Sequence, residues 1–191
     1  RKVAYDFLIV ATGLHLDYAA IEGMDPAAIG REGLASVYHG PEGAAATWRA
    51  MAAFRESGGE ALMTLPATPM KCAGAPLKTT FMLRDRLLKA GTLGKSKIDF
   101  LSAQKNVFGV PRINDEVLRR WQALGIGVSF EHKLLGIDIG AHRARFSTPT
   151  GEKIERTYDF IHVVPPMRAP DFVKKSALAR QDGPMPTRSC V

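Results

Sequence analysis

Cysteine is scarce in this chain: Cys72 and Cys190 are the only two in 191 residues. Two thiols this far apart do not form a disulfide framework of the secreted kind, so a reducing, cytoplasmic setting is expected. The five histidines, His15, His39, His132, His142 and His162, show no close spacing with one another or with cysteine, and no metal site is expected. No apolar run approaches the roughly 18 residues a membrane-crossing helix needs. The opening residues, Arg1 to Asp6, do not have the form of a signal peptide. Arg1 rather than Met opens the chain, which fits a piece of a longer gene product. Acid is also short: 19 Asp and Glu face 26 Lys and Arg, for a net charge of +7. The basic residues are spread out, with no run longer than two, so nucleic-acid binding is not expected. Weak attraction to an anionic cofactor or lipid surface stays open.

What is present alternates. Tyr5-Asp6-Phe7-Leu8-Ile9-Val10 is a short apolar run that reads as a buried strand. Residues 14 to 40 read as loop, with four glycines and Pro26. Pro41 stands where a helix opens and Gly58-Gly59 where it stops. Residues 61–65 read as a strand ended by Pro66, and residues 66–75 as a loop holding Cys72. Pro76 opens a second helix, running to Ala90 ahead of Gly91. Residues 97–101 give another strand. Asn114 is a suitable N-cap, with Asp115 and Glu116 in the first turn, and that helix closes at Gly125. A strand begins at Val128. Residues 134–158 then alternate in short stretches, with a turn at Pro149-Thr150-Gly151, as an antiparallel meander does. Ile161 to Val164 is a last buried strand, ended by Pro165-Pro166.

Strands alternating with helices predict an α/β fold: a Rossmann-like dinucleotide-binding domain with a parallel sheet, joined by a three-stranded antiparallel meander. An internal echo points the same way. Tyr5-Asp6-Phe7-Leu8-Ile9-Val10 matches Tyr158-Asp159-Phe160-Ile161-His162-Val163, as if two related domains each ended in such a strand. The expected organisation is residues 1–58 as the remnant of a second, FAD-binding domain with its connecting helix, residues 59–168 as the NAD(P)-binding-like domain, and residues 169–191 as a tail, disordered at its end.

A nicotinamide site needs G-x-G-x-x-G after the first strand, so that backbone can approach the pyrophosphate. Here Pro66-Ala67-Thr68-Pro69-Met70-Lys71-Cys72-Ala73-Gly74-Ala75-Pro76 supplies only Gly74, and Ser102-Ala103-Gln104 stands where a ribose-binding acid belongs. NAD(P) binding is therefore not expected. The loop has a cysteine instead, close to a helix N-terminus and flanked by Lys71 and Lys78. Positive potential there favours the thiolate, the form that attacks sulfur. The alternative is an inert cysteine packed under a loop.

The loop Lys71-Cys72-Ala73-Gly74-Ala75-Pro76 with Lys78 resembles the sulfide:quinone oxidoreductases. The resemblance extends through Tyr5–Gly13, Leu16-Asp17-Tyr18, Thr47-Trp48, Val107-Phe108-Gly109-Val110 and His162-Val163-Val164-Pro165-Pro166-Met167. It implies a flavoprotein that oxidises sulfide and passes electrons through FAD to quinone, the whole protein lying peripherally on a membrane. On that resemblance Cys72 is the first redox cysteine, the one that forms a persulfide bridge, and Lys78 the lysine beside it. Ala11, Thr12 and Gly13 form a turn against FAD, and Pro165 and Pro166 a turn reaching the flavin from the other domain. The family's N-terminal glycine fingerprint, its late Gly-x-Gly-Asp-Cys segment and its C-terminal membrane helices have no match here, and the surroundings of Cys190 do not fit the second cysteine. The expectation is a truncated fragment that binds no FAD by itself. Two other readings stand beside it: a non-catalytic domain that forms a homodimer through the strand at Tyr5–Val10, and an NAD(P)H-dependent dehydrogenase.

Overall fold

The structure, a computed structural model, describes residues 3–177. In chain order the elements are β1 (His15–Leu16), β2 (Leu34–Ala35), α1 (Gly40–Ser57), β3 (Gly59–Leu65), α2 (Gly74–Ala90), β4 (Ser96–Ser102), α3 (Pro111–Ala123), β5 (Gly127–Ser129), β6 (Lys133–Asp138), β7 (Arg143–Ser147), β8 (Lys153–Thr157), β9 (Phe160–His162), β10 (Met167–Arg168) and α4 (Asp171–Lys174).

Punctuation residues set several of these boundaries. Gly58 ends α1 with φ +71°, and its N–H donates to the Phe54 carbonyl at 2.8 Å. A left-handed residue after a helix is the conformation glycine adopts without penalty. Gly91, at φ +74°, closes α2 in the left-handed helical conformation, with ψ 11° where Gly58 has −166°, its N–H reaching the Leu88 carbonyl at 3.1 Å. β3 is buried from Ala61 to Leu65, Thr64 being the one polar residue there, and pairs in parallel with β4 on one side and β9 on the other. β5 extends the sheet beyond β4, and β2 lies beyond β9, giving the five-stranded parallel order β2-β9-β3-β4-β5.

Strand alternation decides what covers each face. Ala61, Met63, Leu65, Phe100 and Phe160 face α1, α2 and α3, whose Phe54, Leu83, Leu87 and Trp121 complete one core. Leu62, Leu101 and Ile161 face the other way, against Tyr18, Ile21, Ile137, Phe146 and Tyr158. The second layer is largely the antiparallel meander β6-β7-β8. The molecule is thus three-layered: helices, parallel sheet, meander. Each large apolar side chain taken fully from water contributes about 1.5–3 kcal/mol, and the Phe100 and Trp121 rings lie 4.7 Å apart in the middle of the helix side.

The fold agrees with the expected α/β class and its meander, but four local expectations change. First, residues 5–10 are not a buried strand. Among the described residues no strand pairs with them, and Phe7 and Ile9 are 92% and 87% exposed. Their sequence has strand propensity but nothing beside it to complete a ladder. Second, residues 14–40 are not simply loop: β1 pairs antiparallel with β10, and β2 joins the main sheet. Gly33, at φ +68°, allows the latter, because a Cβ there would lie 2.1 Å from the Asp159 carbonyl oxygen. Third, α3 opens at Pro111 after Val110 rather than at Asn114. The Asn114 Oδ1 instead accepts from the Val107 N–H at 2.9 Å, so it ties the helix to the preceding loop. Fourth, α2 opens at Gly74, two residues ahead of Pro76, which brings the helix closer to Cys72.

Candidate functional site

The carboxyl ends of parallel strands leave a crevice where loops gather. Here the loop from β3 to α2 meets the turns that follow β2 and β9. Cys72 lies in that loop, exposed, with φ +51°. A non-glycine residue in the left-handed region costs about 1 kcal/mol or more and persists only where the surroundings hold it.

Those surroundings are specific. The Cys72 carbonyl accepts from the Tyr38 hydroxyl at 2.9 Å and from the Ala75 N–H at 2.9 Å. Next to it the Lys71 N–H points at the Met167 sulfur, 3.3 Å away. The Met167 N–H in turn donates to the Thr68 hydroxyl at 2.9 Å. Tyr38, Val164 and Met167 form a small buried cluster with Met70 and Ala75 against it. The loop is therefore fastened to the segment that follows β9. Burial pushes the Tyr38 phenol well above the ordinary tyrosine value, and negative charge at Cys72 adds to this. The phenol is consequently a donor at any ordinary pH.

His162 lies directly behind this region, fully buried. Its Nε2 accepts from the Val37 N–H at 3.4 Å, so its hydrogen belongs on Nδ1, which has no partner. Burial alone lowers its pKa to about 4, leaving it neutral. Thr64, also buried, bridges the main chain here: its hydroxyl donates to the His162 carbonyl at 3.1 Å and accepts from the Val164 N–H at 3.2 Å.

The residues singled out from sequence are only partly assembled. Lys71, beside Cys72, meets Met167, beside Pro166, and no hydrogen bond joins Cys72 itself to Pro165 or Pro166. Lys78 is exposed on α2, in its second turn now that the helix opens at Gly74, and no hydrogen bond or ion pair joins it to Cys72. Pro165 is buried and Pro166 partly so, and the Pro166 carbonyl accepts from the Asp17 N–H at 2.8 Å. Ala11, Thr12 and Gly13 are exposed. The ladder of β1 with β10 sets His15 against Arg168 and Leu16 against Met167, which puts Gly13 and Pro166 toward opposite ends of it. A Cβ on Gly13 would meet nothing within 4 Å, so no tight cradle closes there. The described residues do not fit FAD by themselves. Among the described residues no glycine-rich loop between a strand and a helix is available for a pyrophosphate, and Gly13 stands in open space. Cys190 lies outside the described residues. Among the described residues no cluster of His, Cys, Asp or Glu could hold a metal.

Tyr38, Thr68 and His162 were not identified as site residues from sequence. Tyr38 and Thr68 give no local signal, since each matters only through a partner across the fold. His162 does give one, a lone polar residue inside the apolar run Phe160–Val164. Arg168 is also anchored here, with its guanidinium bonded to Asp17 at 3.0 Å and to Asp171 at 2.5 Å, which fixes β10 and α4.

A parallel sheet covered by helices on one face and a meander on the other, with its loops meeting at the strands' carboxyl ends, is an α/β fold of the dinucleotide-binding type. Within that class the chain resembles sulfide:quinone oxidoreductase. The mitochondrial sulfide:quinone oxidoreductase of Mus musculus is 34% identical over 185 residues, 96% of this chain and 40% of the relative. The solved sulfide:quinone oxidoreductase of Aquifex aeolicus superposes with TM-score 0.72 at 19% identity, over 95% of this chain and 41% of that one. A chain in the mitochondrial ATP synthase of Tetrahymena thermophila superposes with TM-score 0.73 at 21% identity, over 91% of this chain and 43% of that one. The two structural likenesses concern the fold alone. The chain spans about 40% of the length of the curated relatives it matches. No family model matches it.

Proposed function

We propose that this chain is the cysteine-bearing segment of a sulfide-oxidising flavoprotein of the sulfide:quinone oxidoreductase kind, with Cys72 as its sulfur-handling residue. The observation that carries this is the β3–α2 loop. Where a nicotinamide domain has its glycine fingerprint, this one has an exposed cysteine in a strained conformation, fastened on both sides. The likeness to curated relatives over nearly the whole chain supports it. In the whole protein, sulfide would be oxidised, with electrons leaving through FAD to quinone at a membrane surface. Among the described residues no helix is long and apolar enough to cross a membrane. Since the described residues do not fit FAD alone, this chain by itself is not proposed to turn over. Its own part is to hold the Cys72 thiol, whose thiolate attacks a terminal sulfur of a polysulfide, breaks one S–S bond, keeps that sulfur as a persulfide and releases the polysulfide shortened by one atom.

The test separates uptake from turnover. The purified chain is treated with a polysulfide, and the peptide containing Cys72 is weighed. Gain of one sulfur atom at Cys72, absent in Cys72→Ser, is the expected result. No gain at Cys72 overturns the reading. Absorbance after FAD addition, and quinone reduction on sulfide addition, are expected to show nothing for the isolated chain.

The exposed segment Tyr5–Val10 favours a second reading, in which the folded domain acts through association, pairing copies as a homodimer. Light scattering across a concentration range tests it, and a monomer throughout would count against it. A nicotinamide-dependent dehydrogenase would show saturable NADH binding; none is expected, given the missing fingerprint.

A further inference from the structure

We propose that Tyr38 is the positioning residue for the Cys72 thiol: its hydroxyl, bonded to the Cys72 carbonyl, holds the backbone in the left-handed turn that presents the side chain outward. This rests on taking Cys72 as the sulfur-handling residue, and it adds the element that aims it.

The main chain at Cys72 needs a reason to stay at φ +51°, because a residue with a Cβ relaxes from that region when released. Two donors meet its carbonyl. The Ala75 N–H, at 2.9 Å, belongs to the first turn of α2 and moves with the loop. The Tyr38 hydroxyl, at 2.9 Å, does not. It comes from the segment after β2, 34 residues away in sequence. The ring is 8% exposed and is packed against Val164 and Met167. The body of the tyrosine is thus anchored in the fold while its single polar atom reaches the loop. A buried phenol with no partner is unfavourable, so the tyrosine and the turn at Cys72 each stabilise the other. Lys71 and Thr68 fasten the preceding part of the loop to Met167. Among the described residues, Tyr38 alone spans from outside the loop to the cysteine's own peptide group.

Phenylalanine at position 38 keeps the packing and deletes only the bond. In Tyr38→Phe, hydrogen exchange at the Ala75 amide should rise about fivefold, the equivalent of about 1 kcal/mol for one lost hydrogen bond. The Cys72 thiol should also discriminate less between a small alkylating agent, iodoacetamide, and a bulky aromatic disulfide, because a freed side chain samples more directions. The ratio of the two rate constants should move about threefold or more toward the ratio measured for cysteine in an unstructured peptide, an order-of-magnitude consequence of the same lost bond. Both are read at the Cys72 peptide by mass spectrometry. Tyr18→Phe is the control. It removes another buried hydroxyl contact, to the Ser36 hydroxyl at 2.7 Å, without touching the loop, so general loosening appears there equally. An unchanged ratio in Tyr38→Phe, or the same change in Tyr18→Phe, overturns the proposal. If Tyr38→Phe shifts the ratio but Cys72 takes up no sulfur from polysulfide, Tyr38 still positions the thiol and the sulfur-handling role fails. The opposite pair of results fails the positioning role alone.

Discussion

Lowering the pH from 7.5 to 5 should destabilise this fold through one side chain, His162. The imidazole is fully buried in β9, its Nε2 holds the Val37 N–H, and its Nδ1 has no partner. A second proton would convert Nε2 from acceptor to donor, facing an N–H, in a place without water to solvate the charge. Burial accordingly lowers the folded-state pKa from 6.5 to about 4. In the unfolded chain the ring binds a proton near its ordinary value. Between pH 6.5 and about 4 the unfolded state therefore binds more protons than the native one, and stability falls as pH falls. The stabilisation is complete above the unfolded value and gone below the folded one. The gap between 6.5 and about 4, at roughly 1.4 kcal/mol for each pH unit, comes to about 3 kcal/mol in full, of which about 2 kcal/mol is lost by pH 5. For a domain whose total stability is on the order of 10 kcal/mol, that is a large share. The assay is urea unfolding followed by circular dichroism at pH 7.5 and pH 5, in wild type and in His162→Gln. Glutamine keeps an acceptor for Val37 and cannot titrate. Wild type should lose about 2 kcal/mol more than the variant between the two pH values. Equal losses in both would refute the reasoning, because the acid sensitivity would then belong to other groups.

Three further outcomes are expected. Trp121→Ala, which empties a fully buried position beside Phe100 and Phe81, should cost about 3–5 kcal/mol in urea unfolding. Gly33→Ala puts a Cβ within 2.1 Å of the Asp159 carbonyl oxygen at φ +68°. It should cost at least about 1 kcal/mol and speed hydrogen exchange at the Ile161 amide, which bonds to Gly33. Phe7→Ser with Ile9→Ser replaces side chains that are 92% and 87% exposed. It should leave the unfolding free energy within about 0.5 kcal/mol while abolishing any concentration-dependent association seen by light scattering.

The helices and central strands were legible because their signals are local. Pro41 and Gly58 bracket α1, Gly91 closes α2, and the apolar runs of β3 and β4 need no distant information to declare themselves. The meander showed through its alternation and the turn at Pro149–Gly151. What stayed hidden depends on contacts between distant parts. β2 is two residues long and exists because β9 lies beside it, an arrangement that Gly33 permits and no periodicity announces. The N-cap assigned to Asn114 went astray because its amide serves the loop at Val107 instead. At the site, the cysteine was visible from its loop, whereas the tyrosine and threonine that fasten that loop were not. Their roles are set by a hydroxyl meeting a backbone group, and sequence does not encode such a meeting.

The two echoing strings make the same point physically, and they bear on Cys72. Tyr158-Asp159-Phe160-Ile161 and Tyr5-Asp6-Phe7-Leu8 begin alike, yet Phe160 is fully buried and Phe7 almost fully exposed. Propensity is equal in the two, so it cannot be what separates them. The difference is the neighbours: β2 and β3 flank Phe160–His162 on both sides, and the Asp159 carboxylate accepts from the Glu60 N–H at 2.8 Å. No strand among the described residues does this for Phe7. A strand of this composition is thus an acceptor of structure supplied from elsewhere, and burying it requires a partner sheet. The Cys72 loop, by contrast, obtains its fixed geometry from Tyr38, Thr68 and Met167 inside this chain. The Cys72 loop is consequently preorganised within this chain, whereas the segment through Tyr5 to Gly13 has no strand beside it among the described residues. Uptake of sulfur and turnover are therefore expected to separate experimentally, with Cys72 reactive in the isolated chain and flavin-dependent oxidation absent from it.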